Sequence, residues 1–202
     1  MPLKDVPTIH AVTDPAILAR PDFVRHAAAL LRALGPSAAI HLRGHGVPAR
    51  RLLTIAEALV PLQDETGGWV IVNDRLDVAL AAQARGVQLG QRALPLADVR
   101  RIAPIVPTGV SVHGETEARA ALGADWWLVG HVFDSPSHPG VTGRGIGLLT
   151  ALASFHVPMI AIGGITPQRA ADVRAAGAHG VAAIRGIWSA SDPARAATEY
   201  LS

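Results

Sequence analysis

The chain has 202 residues, of which 50% are hydrophobic and 17% charged, with a formal net charge of +2 and no cysteine. This length favours one sizeable core and a single domain over residues 1–202. The lack of cysteine excludes disulfides and thiolate-bound metals. No apolar run approaches the roughly 18 residues that span a bilayer, so no membrane is an expected partner. The scattered arginines argue against nucleic acid, and the N-terminus shows no signal peptide, which favours the cytoplasm.

Short apolar runs alternate with stretches of helical periodicity along the chain. The apolar runs predict strands at 8–12, 38–43, 69–72, 86–89, 109–112, 126–129, 159–162 and 180–184. The helical patterns lie near 17–34, 48–62, 76–84, 96–102, 115–121, 146–154, 167–175 and 192–200. Strands that alternate with helices pair in parallel through right-handed crossovers. The order therefore predicts an α/β fold, a (β/α)₈ TIM barrel. The alternative, an open doubly wound sheet, lacks a Gly-x-Gly-x-x-Gly after its first strand.

Polar side chains occupy the ends of the second to fifth predicted strands, where barrels build their sites. Such groups are costly there unless they bind each other or a polar ligand. We expect the guanidinium of Arg43 to contact an anion, because it is rarely left in a barrel mouth without one. For His41, hydrogen bonding at the barrel rim is the favoured interpretation. The residues predicted to bind substrate here are Arg43, Asn73, Gln88, Ser111 and His113.

Glycines follow the seventh and eighth predicted strands. Gly163 and Gly164 come between a strand and a helix start at Pro167, and Arg185-Gly186 follows the next strand. Loops in these two places, with exposed backbone N–H groups, are where barrels hold a phosphate. We therefore predict phosphate binding by Gly163, Gly164, Arg185 and Gly186. The alternative for the Gly-Gly pair is a tight turn without a ligand.

His131 stands at the end of the sixth predicted strand, before a loop rich in glycine and proline. An imidazole titrates near neutrality and can both accept and return a proton. We predict that His131 is the catalytic acid and base, and that the loop closes over the substrate with Ser135 and Ser137 in contact with it. The alternative is a histidine that only bonds a loop carbonyl.

Metal binding is not expected from the residues. His41 and His45 have a spacing that joins two ligands on a helix, but here it spans a strand end and a glycine-containing loop. No His-Glu-x-x-His and no Gly-x-Ser-x-Gly elbow is present.

From Ile9 to Tyr200 the chain resembles the thiamine-phosphate synthase superfamily. The resemblance lies in Ala11-Val12-Thr13-Asp14, Ile40-His41-Leu42-Arg43, Val72-Asn73-Asp74-Arg75-Leu76-Asp77, Gly86-Val87-Gln88-Leu89-Gly90-Gln91, Ser111-Val112-His113 and Ala161-Ile162-Gly163-Gly164-Ile165. That family is a barrel that joins a thiazole phosphate to a pyrimidine diphosphate with magnesium.

Several positions depart from the synthase pattern. His45 replaces a lysine, Ala93 replaces a magnesium-binding acid, and Ser135-Pro136-Ser137-His138 replaces Thr-x-Thr-Lys. Lost cations and a lost metal ligand weaken the stabilisation of a diphosphate. Other segments resemble a paralogue of the synthase, thiazole tautomerase; they are Gly130-His131-Val132-Phe133, Gly143-Arg144-Gly145 and Gly186-Ile187-Trp188-Ser189-Ala190.

The resemblance implies an isomerase, a cofactor-independent thiazole tautomerase of thiamine biosynthesis. In it His131 would move a proton on an ylidene carboxythiazole phosphate, Arg43 would face the carboxylate, and the glycine turns would hold the phosphate. The expected partner is therefore a phosphorylated thiazole, and oligomeric state stays open. The alternatives are a thiamine-phosphate synthase and a non-catalytic barrel that binds thiazole or thiamine phosphate.

Overall fold

Eight parallel strands pair in chain order and close into a barrel, with β8 against β1. The computed structural model describes residues 6–135 and 140–201. The strands are β1 (Ile9–Val12), β2 (Ala38–Leu42), β3 (Trp69–Asn73), β4 (Gly86–Leu89), β5 (Thr108–Val112), β6 (Trp126–Gly130), β7 (Met159–Ile162) and β8 (Gly180–Ala183). This closed ring confirms the predicted (β/α)₈ barrel, and every strand lies within a residue of its predicted bounds.

Helices connect the strands around the outside of the barrel. They are α1 (Pro15–Leu18), α2 (Phe23–Leu34), α3 (Ala49–Leu59), α4 (Pro61–Thr66), α5 (Leu76–Ala82), α6 (Leu96–Ile102), α7 (Glu115–Ala120), α8 (Gly147–Leu152), α9 (Pro167–Ala175), α10 (Arg185–Trp188) and α11 (Pro193–Thr198). Within the described part of the chain, no helix combines the length and apolar character that crossing a membrane requires.

The helices differ from prediction mainly where proline or a cap divides them. The single helix predicted at 17–34 is divided into α1 and α2. Asp14 caps α1 by accepting the N–H of Ile17 at 2.8 Å, and the chain turns at Pro21 before α2 begins. Pro61 starts α4 directly after α3, as the first helical turn permits. The short helix α10 was not predicted.

Two tryptophans fill much of the inside of the barrel towards its amino-terminal end. Trp69 and Trp126, the first residues of β3 and β6, meet edge to face with ring centroids 5.9 Å apart. Ile71 and Leu128 lie two residues further along the same strands, in the same buried cluster. This filling leaves the carboxyl-terminal end of the barrel for polar groups, since alternate strand residues share one face.

A glycine makes room for Trp126. A methyl group at Gly109, its partner on β5, would lie 2.1 Å from the indole ring. We expect Gly109→Ala to lower the free energy of unfolding by about 3 kcal/mol, because the indole is fully buried and has no room to move. Urea unfolding measures the change.

The matched control is Gly147→Ala in α8, where an added methyl group meets no atom within 4 Å. Helix propensity predicts that this variant keeps or slightly raises the stability. Equal stability of the two variants would contradict the packing described here.

Candidate active site

A cavity of about 1100 Å³ lies at the carboxyl-terminal ends of the strands. Most of the side chains and turns predicted for the site line this one cavity, although they come from six different strand ends or the loops that follow. They are Arg43, Asn73, Ser111, His113, His131, Ser135, Gly163, Gly164, Arg185 and Gly186. The strand order brings them together because all eight carboxyl ends meet at one end of the barrel.

One predicted substrate contact, Gln88, does not line this cavity. Gln88 is fully buried in the barrel, where its Oε1 accepts the indole N–H of Trp126 at 2.8 Å and its amide nitrogen donates to Ser111 Oγ at 3.3 Å. The prediction of substrate contact by Gln88 is therefore replaced by a supporting position beneath Ser111. Ser137 lies outside the described residues.

His131 follows β6 on a segment that continues to pair with the chain after β7. The N–H of Val132 donates to Ile162 O at 2.8 Å, and the N–H of Phe133 donates to Gly163 O at 2.9 Å. On the ring, Nε2 lies 3.1 Å from the carbonyl oxygen of Thr142. Because a carbonyl only accepts, this Nε2 carries the proton.

Gly163 and Gly164 allow this close approach. Both have positive φ, 103° and 62°. An added methyl group at Gly163 would lie 2.4 Å from His131 Cβ, and one at Gly164 would lie 2.4 Å from Asp134 O. Any side chain at either position would push the His131 segment away. The glycine pair, predicted from its phosphate chemistry, thus also fixes the position of the imidazole.

Arg169 and Asp134, neither of which was predicted, hold the same loop from two sides. The guanidinium of Arg169 stacks on Phe133, 4.4 Å from the ring centroid, and donates to Gly164 O at 2.9 Å. Asp134 accepts the N–H of Gly143 at 2.6 Å. An arginine two residues into a helix carries no sequence signal for such stacking.

The space beside Gly186 is filled by the side chain of Tyr200. A methyl group there would lie 2.1 Å from the hydroxyl of Tyr200, which donates to Ile165 O at 3.3 Å. Tyr200 is buried at the cavity wall. Its position ties the turns after β7 and β8 together, a link that sequence spacing does not reveal.

Two histidines are buried inside the barrel beneath the cavity. Nδ1 of His10 lies 2.7 Å from Nε2 of His41, and Nε2 of His10 donates to the carbonyl of Pro7 at 2.8 Å. On its other side, His41 Nδ1 lies 3.1 Å from the Asn73 amide. His41 is thus an interior residue and not part of the exposed rim, and His10 was not singled out by sequence.

Burial keeps both imidazoles neutral. It lowers the pKa of His41 to about 4, against an ordinary 6.5. The pKa of His10 also falls well below its usual value, first because of burial and then because His41 is close. Removing a charged ring from water is the dominant physical cause in each case.

The described carboxylates near the opening of the cavity each bond a different partner and do not form a cluster. Asp74 Oδ1 accepts the N–H of Gly90 at 2.8 Å, and Asp77 pairs with Arg75. His113 Nδ1 bonds Glu117 at 2.8 Å. Among residues 6–135 and 140–201, no group of three or more histidine, cysteine or acidic side chains is placed to hold a metal ion.

Fold and site together define a (β/α)₈ barrel protein whose site is built from the loops after its strands. More narrowly, the chain belongs to the thiamine monophosphate synthase family, whose model matches residues 9–187.

Individual relatives agree over most of the chain. Thiamine-phosphate synthase from Roseiflexus castenholzii is 43% identical over 199 residues, which cover 96% of this chain and 86% of that protein. The Pyrococcus furiosus thiamine-phosphate synthase is 34% identical over 204 residues, 100% of this chain and 96% of that one. A solved thiamine phosphate pyrophosphorylase from Pyrococcus furiosus has a TM-score of 0.82 at 30% identity, covering 96% of this chain and 93% of that chain.

These comparisons correct the predicted reaction. The relatives are named as synthases, which are transferases, so the prediction of an isomerase, a thiazole tautomerase, is wrong. That prediction gave more weight to departures at His45, Ala93 and the loop after β6 than to the similarity along the whole barrel. The placement in thiamine biosynthesis and the superfamily are confirmed.

The buried histidines make stability depend on pH. Below about pH 6.5 the unfolded chain binds protons that native His41 does not accept until about pH 4. The free energy of unfolding should therefore fall as the pH drops through this window, by about 3 kcal/mol for His41 alone. Urea unfolding at several pH values measures the slope.

Two variants isolate the cause. His41→Gln should flatten the slope, whereas His156→Asn, at an exposed histidine, should leave it unchanged. A slope that is the same in all three proteins would refute burial of a neutral His41.

Proposed function

We propose that the protein catalyses the formation of thiamine phosphate, the activity for which its relatives are named. The ring nitrogen of the thiazole phosphate bonds to the methylene carbon that joins the pyrimidine ring to its diphosphate. The bond from that carbon to the diphosphate oxygen breaks, and pyrophosphate leaves with the electron pair. The observation that carries the proposal is the family match over residues 9–187, at 43% identity to a synthase along nearly the whole chain.

The turns after β7 and β8 are proposed to hold the phosphate of the thiazole. Gly163, Gly164 and Gly186 line the cavity in the loops that follow these two strands. Arg185 lies beside Gly186 and brings a positive charge to the cavity wall. Phosphate binding at this pair of loops is common to many barrels.

Arg43 is proposed to bind the diphosphate. It is half-buried at the end of β2, and its guanidinium makes no hydrogen bond or ion pair with another described residue, although it lines the cavity. A planar guanidinium suits two phosphate oxygens at once. Its charge would compensate the negative charge that grows on the leaving group.

His131 is proposed to act on the leaving diphosphate through Nδ1, because its Nε2–H is bonded to Thr142 O. With a second proton on Nδ1, the ring would donate that proton to the pyrophosphate as it departs. His131 lies against Gly163 and lines the same cavity as the turns for which phosphate binding is proposed. Asn73, Ser111, His113 and Ser135 line the same cavity and are proposed as substrate contacts. His113 Nδ1–H donates to Glu117, which leaves Nε2 for a contact with the substrate.

The magnesium of the synthase family does not fit the donors of this chain. Asp74 is the one acid that β3 brings to the cavity, and Gly90 N–H already occupies its Oδ1. Ala93 stands where the family pattern has its second acid. We therefore derive no step through a metal ion, and assign charge compensation to Arg43 and Arg185, which both line the cavity.

A second candidate function is binding without catalysis. The missing acid at Ala93 favours it, because a barrel that only holds thiazole phosphate or thiamine phosphate needs no metal ligand. Binding of thiamine phosphate without turnover would support this candidate.

The test is to incubate the protein with the thiazole phosphate and the pyrimidine diphosphate and to measure thiamine phosphate and pyrophosphate. We expect both products in equal amounts, with EDTA having little effect. No product above that of a heat-denatured sample would overturn the proposed activity.

Within this assay, Arg43→Gln should lower kcat/KM for the pyrimidine diphosphate by about 100-fold, because one preorganised cation at the developing charge is lost. The control is Arg50→Gln, an exposed arginine outside the cavity, which should retain full activity. If Arg43→Gln matched the control, the diphosphate assignment would be abandoned.

A further inference from the structure

We propose that His10 and His41 are positioning residues that orient the side-chain amide of Asn73, so that its carbonyl oxygen faces the cavity and accepts a hydrogen bond from an N–H or O–H group of the substrate. The inference depends on the order of donors and acceptors along a buried polar row. It goes beyond the proposed reaction and rests on it only for the identity of the ligand.

His10, His41 and Asn73 form a row of polar side chains across three neighbouring strands, and each lies two residues further along its strand than the register partner of the one before it. His10 on β1 pairs in register with Ala39, and His41 lies two residues beyond Ala39 on β2. His41 in turn pairs with Ile71, and Asn73 lies two residues beyond Ile71 on β3. Since alternate residues share a face, all three polar side chains point into the barrel. The row thus leads from the barrel interior to the cavity that Asn73 lines.

The carbonyl of Pro7 sets the direction of every hydrogen bond in the row. It can only accept, so His10 Nε2, at 2.8 Å, carries a proton. A neutral His10 then has a bare Nδ1, and this atom must accept from His41 Nε2 at 2.7 Å. A neutral His41 with its proton on Nε2 in turn has a bare Nδ1.

The bare Nδ1 of His41 needs a donor, and Asn73 supplies it. The Asn73 amide lies 3.1 Å away with Oδ1 assigned as the near atom, but the choice between amide oxygen and nitrogen follows from the hydrogen-bond network. Two acceptors would face each other in the assigned orientation. With Nδ2 turned to His41 the conflict disappears, and Oδ1 is the end of the amide turned to the cavity.

A second proton on either histidine ring would reverse the direction of these hydrogen bonds, but the surroundings of both rings disfavour a positive charge. Both rings have no exposed surface, and no carboxylate pairs with either of them among the hydrogen bonds of the described residues. The neighbouring His179, which bonds the carbonyl of Val6 at 2.7 Å, adds further opposition to a positive charge on His10. A bare, unpartnered charge at such a site is far costlier than a rotated amide.

The orientation decides what the cavity selects. If Asn73 offered its NH₂ group, the position would suit a phosphate or carbonyl oxygen. With its carbonyl oxygen offered instead, it suits a ligand N–H or O–H, and an acceptor placed there is repelled. His10 and His41 therefore act on specificity through Asn73 without touching the substrate.

Long-range ¹H–¹⁵N NMR of the full-length protein reads the tautomers directly. We expect His10 and His41 to be neutral at pH 7, each with its proton on Nε2. In Asn73→Asp a carboxylate faces His41 Nδ1, so His41 should take a second proton at a higher pH than in the native protein. A native His41 that is charged, or protonated on Nδ1, would overturn the inference, as would an unaltered His41 in Asn73→Asp.

Binding supplies a second arm, with thiamine phosphate as the probe. His41→Gln can still donate to His10 and accept from Asn73, so we expect affinity close to native. His41→Leu can do neither, and should bind about tenfold more weakly, the usual effect of one misplaced hydrogen bond. Equal affinities would overturn the positioning role. The NMR result does not depend on turnover, so failure of the synthase assay with the expected tautomers would remove the proposed function alone.

Discussion

The close contact between the His131 segment and the turn after β7 is the constraint on which the site depends. Two glycines with positive φ, Gly163 and Gly164, let one backbone lie directly against the other. Hydrogen bonds from Val132 and Phe133 then extend the pairing of β6 and β7 past the barrel. The result is that one imidazole and one candidate anion site share a wall and cannot move independently.

Beneath this wall of the cavity, the interior of the barrel is divided between apolar and polar side chains. Trp69 and Trp126 fill the amino-terminal end, and a row of neutral polar side chains rises from His10 to the cavity. Each buried donor in such an interior needs an acceptor. That requirement gives the row its single direction, and with it the chemical character of Asn73 at the mouth.

The fold could be predicted almost completely from the sequence, because alternating apolar runs and helical patterns admit few topologies. Much of the candidate site could also be predicted from the sequence, since residues at the carboxyl ends of the strands converge in any closed barrel. Gln88 differed from the prediction: it stands at a strand end and points into the barrel, but its bonds to Trp126 and Ser111 hold it below the cavity. Contacts between distant segments, such as Tyr200 against Gly186, leave no local pattern to find. The reaction was mispredicted because a few substitutions at the mouth outweighed similarity along the whole chain.

The most direct measurement of the central constraint is a crystal structure of the Gly163→Ala variant beside that of the native protein. We expect the eight strands to superimpose, while residues 131–134 move away from the turn and carry the His131 ring out of its native position. A variant in which the added methyl group is accommodated and His131 keeps its place would contradict the claim that these glycines seat the imidazole.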